Sequence, residues 1–406
     1  MKKLSLTTIV WFFGLFCSFA QTSGGDTTGY KQKKLSLQEV DFVSGYYHQD
    51  GNNSAVTGGI GTENLTDFAN NLDLILLKTD KHNRQYTWAF ELGIDHYTSA
   101  SSDNIDPNTK SGPSSHDTRI YPSLAWSEKD TKNNTFGITG SYSTEFDYKS
   151  YGLGANYAKS SADNNREFSV HLQSYFDRWT LIYPVELRPP GGGYSGRGGS
   201  RRDSVPNVYK PRDSYSASFA WSQVVNKRMQ IAILMDLIYQ EGLLATDYQR
   251  VYFADNSERI EHLPGTRFKL PLGARANYFI DDRFIMRAYY RYYMDDWGIR
   301  AHTASLEVPV KLNAFISISP FYRFYQQNAA DYFAPYGMHE TSQEFYTSDF
   351  DLSKFTSHFF GAGIRFAPEN GILKIRHWSN LEIRYGHYVR STGLHSDIIS
   401  LNATFK

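Results

Sequence analysis

Cysteine is all but missing: Cys17 is the only one among 406 residues. Disulfide frameworks and cysteine-based metal or nucleophile chemistry are therefore excluded for everything downstream of it. Long apolar runs are also missing. The best, LSLTTIVWFFGLF from Leu4 to Phe16, is shorter than the roughly 20 residues a helix needs to cross a bilayer. No later stretch does better, which excludes a helical membrane protein. An excess of charge of either sign is lacking as well, with Lys plus Arg and Asp plus Glu at 42 each, so nothing in the balance points to nucleic acid as a partner. There is no phosphate-binding glycine loop and no zinc-protease helix motif.

The apolar run has a different use. Lys2 and Lys3 precede it, and Ser18, Phe19 and Ala20 follow it with small residues around a cleavage position, the pattern of an export signal over residues 1–20. The bulky Phe16 before Cys17 does not suit lipoprotein processing. The mature chain is expected to begin near Gln21, with 21–38 a short periplasmic segment and 39–406 the folded body. Lys31, Lys33 and Lys34 read as a solvated tail there.

What is abundant is aromatic: 30 Tyr and 27 Phe in a chain whose mean hydropathy is only −0.50. Tyr86, Trp88, Phe90, Leu92 and Ile94 alternate strictly with Thr87, Ala89, Glu91, Gly93 and Asp95. On a strand that alternation puts large apolar side chains on one face and small or charged ones on the other. The pattern recurs over 267–278 and 284–293, with arginine repeatedly on the non-apolar face, so that face meets water and not a dry core. Weaker versions bring the total to about 16 segments, an even number, as single-chain bacterial barrels require. Compact polar turns at 79–83, 128–134, 160–165, 280–283 and 311–313 alternate with long connections at 48–66, 98–117, 177–213, 241–265 and 326–353. A soluble sandwich gives no such alternation. The fold class expected is all-β, a transmembrane antiparallel β-barrel of about 16 strands with long extracellular loops and short periplasmic turns, located in the cell outer membrane. The last strand, with Ile399, Leu401, Ala403 and Phe405 on one face, is similar to the terminal signal read by the barrel-insertion machinery, although Lys406 follows the aromatic.

Several stretches carry a resemblance: DGNNSAVTGGIGTE (50–63), YTSASSDNIDP (97–107), SSHDTRIYPSLAWS (114–127), ADYF (330–333) and YTSDFDLS (346–353). The chain resembles a family of outer-membrane barrels described as a domain of unknown function. The resemblance implies a barrel and an outer-membrane location. It supplies no substrate and no catalytic residue.

From the alternation, Arg267, Lys269, Arg275, Arg287, Arg291, Arg323 and Arg365 are expected to point into the lumen, opposed by Asp73, Glu91, Asp95, Asp236 and Glu307. The function expected is a pore or channel for small polar solutes. A surface-binding or assembly component anchored by its barrel is the alternative, and a ladder of structural ion pairs would fill the lumen equally well. Outer-membrane lipid is the expected surrounding. A hydrolase is disfavoured: Ser114, Ser115, His116 and Asp117 are consecutive, and neighbours on an extended segment point opposite ways, so they cannot orient one another. His48, His96, His116 and Asp117, with Asp50, Asp103 and Asp106, fall near strand ends on one side of the mouth and form a candidate divalent-metal cluster. The alternative there is a hydrogen-bonded rim that also uses Thr98, Ser101 and Ser102. The basic stretch 188–202, with Arg188, Arg197, Arg201 and Arg202, reads as a solvated loop, and the acidic and aromatic loop 331–351 as a cover packed over the barrel mouth.

Overall fold

The computed structural model describes residues 33–98, 116–181 and 209–406. The expected export signal, Asp103, Asp106 and the arginines of 188–202 lie outside the described residues.

Nine strands follow in turn: β1 (Lys33–Asp50), β2 (Leu65–Thr79), β3 (Gln85–Thr98), β4 (His116–Lys129), β5 (Asn134–Thr144), β6 (Tyr148–Ser160), β7 (Arg166–Thr180), β8 (Tyr209–Asn226) and β9 (Met229–Gly242). A small hairpin, β10 (Arg250–Tyr252) with β11 (Glu258–Ile260), interrupts the series. The wall resumes with β12 (Thr266–Phe279), β13 (Ile285–Asp295), β14 (Arg300–Glu307), its continuation β15 (Val310–Lys311), β16 (Ile316–Gln327), β17 (Phe355–Phe366), β18 (Trp378–Arg390) and β19 (His395–Phe405). Every wall strand pairs antiparallel with its chain neighbours, β9 pairs β12 across the hairpin, and β19 pairs β1. With β14 and β15 counted as one broken strand, the result is a closed 16-strand barrel. Closure leaves no strand edge without a partner. β1 begins at Lys33, ahead of the expected boundary at 39, because Lys33 already lies opposite Thr79 of β2.

Proline accompanies three of the irregularities in the wall. It has no N–H to donate to a ladder. Pairing of β4 with β5 skips from Ile120 to Ser123 around Pro122, and pairing of β12 with β9 skips from Lys269 to Leu272 around Pro271. The break between β14 and β15 falls at Val308 and Pro309. On one rim the short turns share one chemistry. Asp80 and Asp130 each accept the backbone N–H groups of the residues two and four positions on, and Asn83, Asn133 and Asn164 close their turns with φ of 63°, 61° and 55°. Asparagine tolerates that left-handed conformation better than most side chains.

The faces separate as the alternation requires. Arg384 of β18 reaches Glu307 of β14 at 3.5 Å across two intervening strands, a contact that only the concave inner side permits. The opposite face presents Leu124, Ile138, Leu153, Leu172, Ile233, Ile364 and Ile383 at 49–63% exposure. Contiguous apolar surface of that extent is not stable in water and marks a lipid-facing band. The chain is a membrane-spanning barrel of the outer-membrane type. Phe405 stacks on Trp378 at 5.6 Å, and Lys406 pairs with Glu39 at 2.8 Å, so the residue after the terminal aromatic ties the seam between β19 and β1.

The most deeply buried side chains lie at the other rim, among the loops. Phe253 and Val251 of the β10–β11 region pack with Tyr346, while His339, Thr347, Ser348 and Ser54 are almost fully buried. Connections 51–64, 243–265 and 328–354 interlock there: Arg250 donates to the Val56 carbonyl at 2.9 Å, Tyr252 packs on Tyr336 with ring centroids 4.6 Å apart, and Phe253 meets Tyr346 edge-on at 4.9 Å. Together these loops form a folded cap with its own small core.

Candidate functional site

The lumen wall is built by the inner positions of each strand, and its two halves differ. From β3 to β9 these positions are mostly small and polar, around a cavity of about 580 Å³ lined by Glu91, Tyr121, Ser141, Gln173, Asp177 and Arg212 among others. Arg212 holds the buried Asp177 at 2.8 Å and lies over Trp179 at 5.0 Å. Glu91 accepts from Asn71 at 3.0 Å and Ser123 at 3.1 Å, and Asp95 accepts from Tyr121 at 2.9 Å. Asp41, Asp67 and Asp73 occupy the same face of β1 and β2, as the registers Asp41 with Asp73, Asp73 with Glu91 and Asp67 with Tyr97 require. No basic residue interrupts this acidic stretch between 41 and 49 on β1, or on the inner faces of β2 and β3.

The other half is basic, and the seven expected residues all lie on its inner face. Arg267 donates through Nε to Asp295 at 3.0 Å and stacks over Trp297 at 4.2 Å. Lys269 is its inner neighbour two residues along β12. Arg275 lies 5.9 Å from the Tyr289 ring and Arg323 4.9 Å from that of Phe359. Arg287 meets Glu307 at 3.5 Å, and Arg365 donates to the Asn380 side chain at 2.7 Å. Arg291 faces inward between Gly273 and Thr303, its buried Nε without a partner among the described residues. Arg275, Arg287, Arg323 and Arg365 are exposed, although they sit inside a closed barrel. A guanidinium with that much accessible surface is solvated, so this part of the lumen holds water. Asp236 and Glu307 also face inward, opposite Ser218 and Arg287 respectively. In a closed ring of 16 strands β2 and β3 face β12 and β13, so carboxylates and guanidinium groups confront one another across the lumen.

Sequence reasoning missed Arg384 and Arg390 on β18, and Arg119 and Arg212 in the first half. The signal was present. Leu381, Ile383, Tyr385, His387 and Val389 alternate with Glu382, Arg384, Gly386, Tyr388 and Arg390, the same pattern that marks Arg287 and Arg291.

The candidate metal residues are not gathered. His48 and His96 point outward and bond Thr66 and Thr118 through Nδ1, each at 2.9 Å. The His96 and His116 rings stand 5.6 Å apart on that same face. Asp117 lies on the other face and accepts from the backbone N–H of Phe146 at 3.1 Å. Among the described residues no group of three or more His, Cys, Asp or Glu could hold a metal ion.

Two buried carboxyl groups stand in the cap. Burial pushes Glu261 up to about 8, although Thr347 and the Thr246 amide both donate to it. Burial, reinforced by neighbouring Asp351, pushes Asp349 up to about 7. Arg390, on the inner face of β18, holds Asp351 at 2.7 Å and so joins the cap to the wall.

Solved structures with a similar architecture include OccK5 (OpdH) of Pseudomonas aeruginosa, 8% identical, covering 91% of this chain and 97% of that chain with a TM-score of 0.43. A BenF-like porin from Pseudomonas fluorescens Pf-5 is 7% identical, covering 90% and 98% with a TM-score of 0.41. The TodX deltaS2S3 mutant, a monoaromatic hydrocarbon channel, is 9% identical, covering 93% and 90% with a TM-score of 0.39. No curated protein matches the chain. A family profile described as "Protein of unknown function (DUF3570)" matches residues 95–372, more than half of the sequence, and the chain belongs to that family.

Proposed function

We propose that the barrel is a pore for small polar solutes, with the basic wall of β12–β18 giving it a modest preference for anions. The observation that carries the reading is the solvated arginine set, Arg275, Arg287, Arg323 and Arg365, inside a closed wall. A barrel that served only as an anchor would gain more from a packed interior, since each charge held away from bulk water without a partner is costly. The acidic face of β1–β3 and the basic face of β12–β18 set a field across the path, which orients dipolar solutes and retards those of the wrong charge. Liposomes containing the purified protein should swell in isotonic solutions of sugars and small organic acids, faster with the acids. Absence of swelling with every solute tested would remove the reading.

A second reading draws on the folded cap. Loops that exist only to connect strands do not need a buried core, and this one presents a rigid surface at the mouth suited to a surface-binding role. Replacing 244–263 by a short Gly-Ser linker separates the two. A pore keeps or gains permeability, whereas a barrel whose purpose is the cap loses its function with permeability unchanged.

A further inference from the structure

Histidine is placed unevenly on the outer surface. His48 on β1, His96 on β3, His116 on β4, His302 on β14, His358 on β17 and His387 on β18 all face outward, and all lie within a few residues of the loop-side ends of their strands. Among the described residues, no outward-facing strand residue at the short-turn rim is a histidine. Five of these rings are held in one way. Nδ1 is bonded to a neighbour on the same face: Thr66 for His48, Thr118 for His96, Tyr290 for His302 and Tyr322 for His358, at 2.7–2.9 Å, and Asp397 for His387 at 2.8 Å. Where the Thr or Tyr hydroxyl donates to Nδ1 the ring proton sits on Nε2, whereas the Asp397 carboxylate can only accept, so His387 donates to it through Nδ1. The belt sits just beyond lipid-facing Tyr290, Tyr322 and Tyr385, which are 44–48% exposed.

Fixed cations share this latitude. Lys149 and Arg178 are register partners on the outward faces of β6 and β7, both exposed and in no ion pair among the described residues. Arg300 opens β14 on the same side. Outward carboxylates at this latitude are Asp213 and Glu241, which face each other between β8 and β9, Asp50 opposite His395, and Asp397, engaged by His387 and Tyr385. Outward N–H donors and cations at the end of an apolar band complement the phosphate groups of lipid headgroups at the depth where those groups lie.

We propose that the loop-side rim of the outer surface, over β13–β19 and β1–β7, binds the phosphate-bearing headgroups of the surrounding glycolipid leaflet. The Nε2–H groups of the histidines whose Nδ1 accepts from a hydroxyl, His48, His96, His302 and His358, and the Lys149–Arg178 pair are the donors. The inference rests on the chain being a membrane barrel and not on the lumen being open, so a sealed barrel leaves it standing.

The test is native mass spectrometry of the full-length purified protein titrated with lipid A bearing two phosphates, with its monophosphoryl form and with phosphatidylcholine. The K149S/R178S double variant should retain the two-phosphate lipid about 30-fold less well, with a further loss on changing His302 and His358 to Gln, given about 1 kcal/mol per basic side chain near a charged leaflet. The control is K159S/R166S, which removes the same charge from the outward face at the opposite rim and should leave retention unchanged. Equal losses in both double variants, or equal retention of all three lipids by the unmodified protein, would overturn the proposal. Variants are compared only where the barrel keeps its heat-modifiable mobility on gels, and the double variant, changing two exposed side chains, is the one expected to fold without difficulty.

Discussion

Glu261 carries a carboxyl group into the cap, where the Thr347 hydroxyl and the Thr246 N–H are its donors. Its pKa in the folded cap, about 8, lies above the ordinary value of 4.5. A group raised on folding contributes stability that is fully present below its unfolded pKa and lost as pH rises through the folded one. The cap should therefore loosen between about pH 5 and 8, and Asp349, raised to about 7, acts in the same window. Hydrogen exchange at Val251 and Phe253, corrected for the intrinsic pH dependence, should show protection falling over that range, and Glu261→Gln should flatten most of the change. Protection that rises with pH would contradict the assignment. Gly59 gives a second test at this scale. Its φ is +86°, and an added Cβ would stand 2.7 Å from the Ser348 carbonyl. Gly59→Ala should cost the cap about 2 kcal/mol or more, read as proteolysis within 243–265 at protease levels that leave the unmodified protein intact.

Among elements, the strands were legible in the sequence, and of the cap only the cover formed by 331–351 was. Period-two alternation is local, so residues 86–94 and 284–293 declare both a strand and its inward face without reference to any partner. The basic positions follow from the same rule, which is why the six expected arginines and Lys269 share the face opposite their strands' apolar runs. Histidine near strand ends misled for a complementary reason: His48, His96 and His116 share the outward face, but nothing local says that Asp117 lies on the other one or that Thr66 and Thr118 take the ring nitrogens. β10 and β11 are three residues each, below the length at which alternation carries information, and their burial depends on residue 346, far along the chain. Of the stretches that carried the family resemblance, 50–63 and 346–353 are cap material: Gly58, Gly59 and Gly61 all have positive φ, and Thr347, Ser348 and Ser353 are almost fully buried. The turns support a separate expectation. Asn133→Gly should be nearly neutral, whereas Asn133→Val, which disfavours φ of 61°, should slow the return of heat-modifiable mobility on refolding.

For the whole molecule, the two rims define an orientation, with short turns toward the periplasm and the cap outside. Lys81→Cys and Glu344→Cys, both at exposed sites, should separate in intact cells, with an impermeant thiol reagent labelling only the second. The central claim is that the wall encloses a wet, charged path. Single-channel recording of the purified barrel in a planar bilayer under a salt gradient tests it most directly. Steady conductance is expected, with a reversal potential on the anion-selective side that moves toward cations in Arg287→Ala/Arg291→Ala; a bilayer that stays silent, or a reversal potential indifferent to both arginines, would contradict the account.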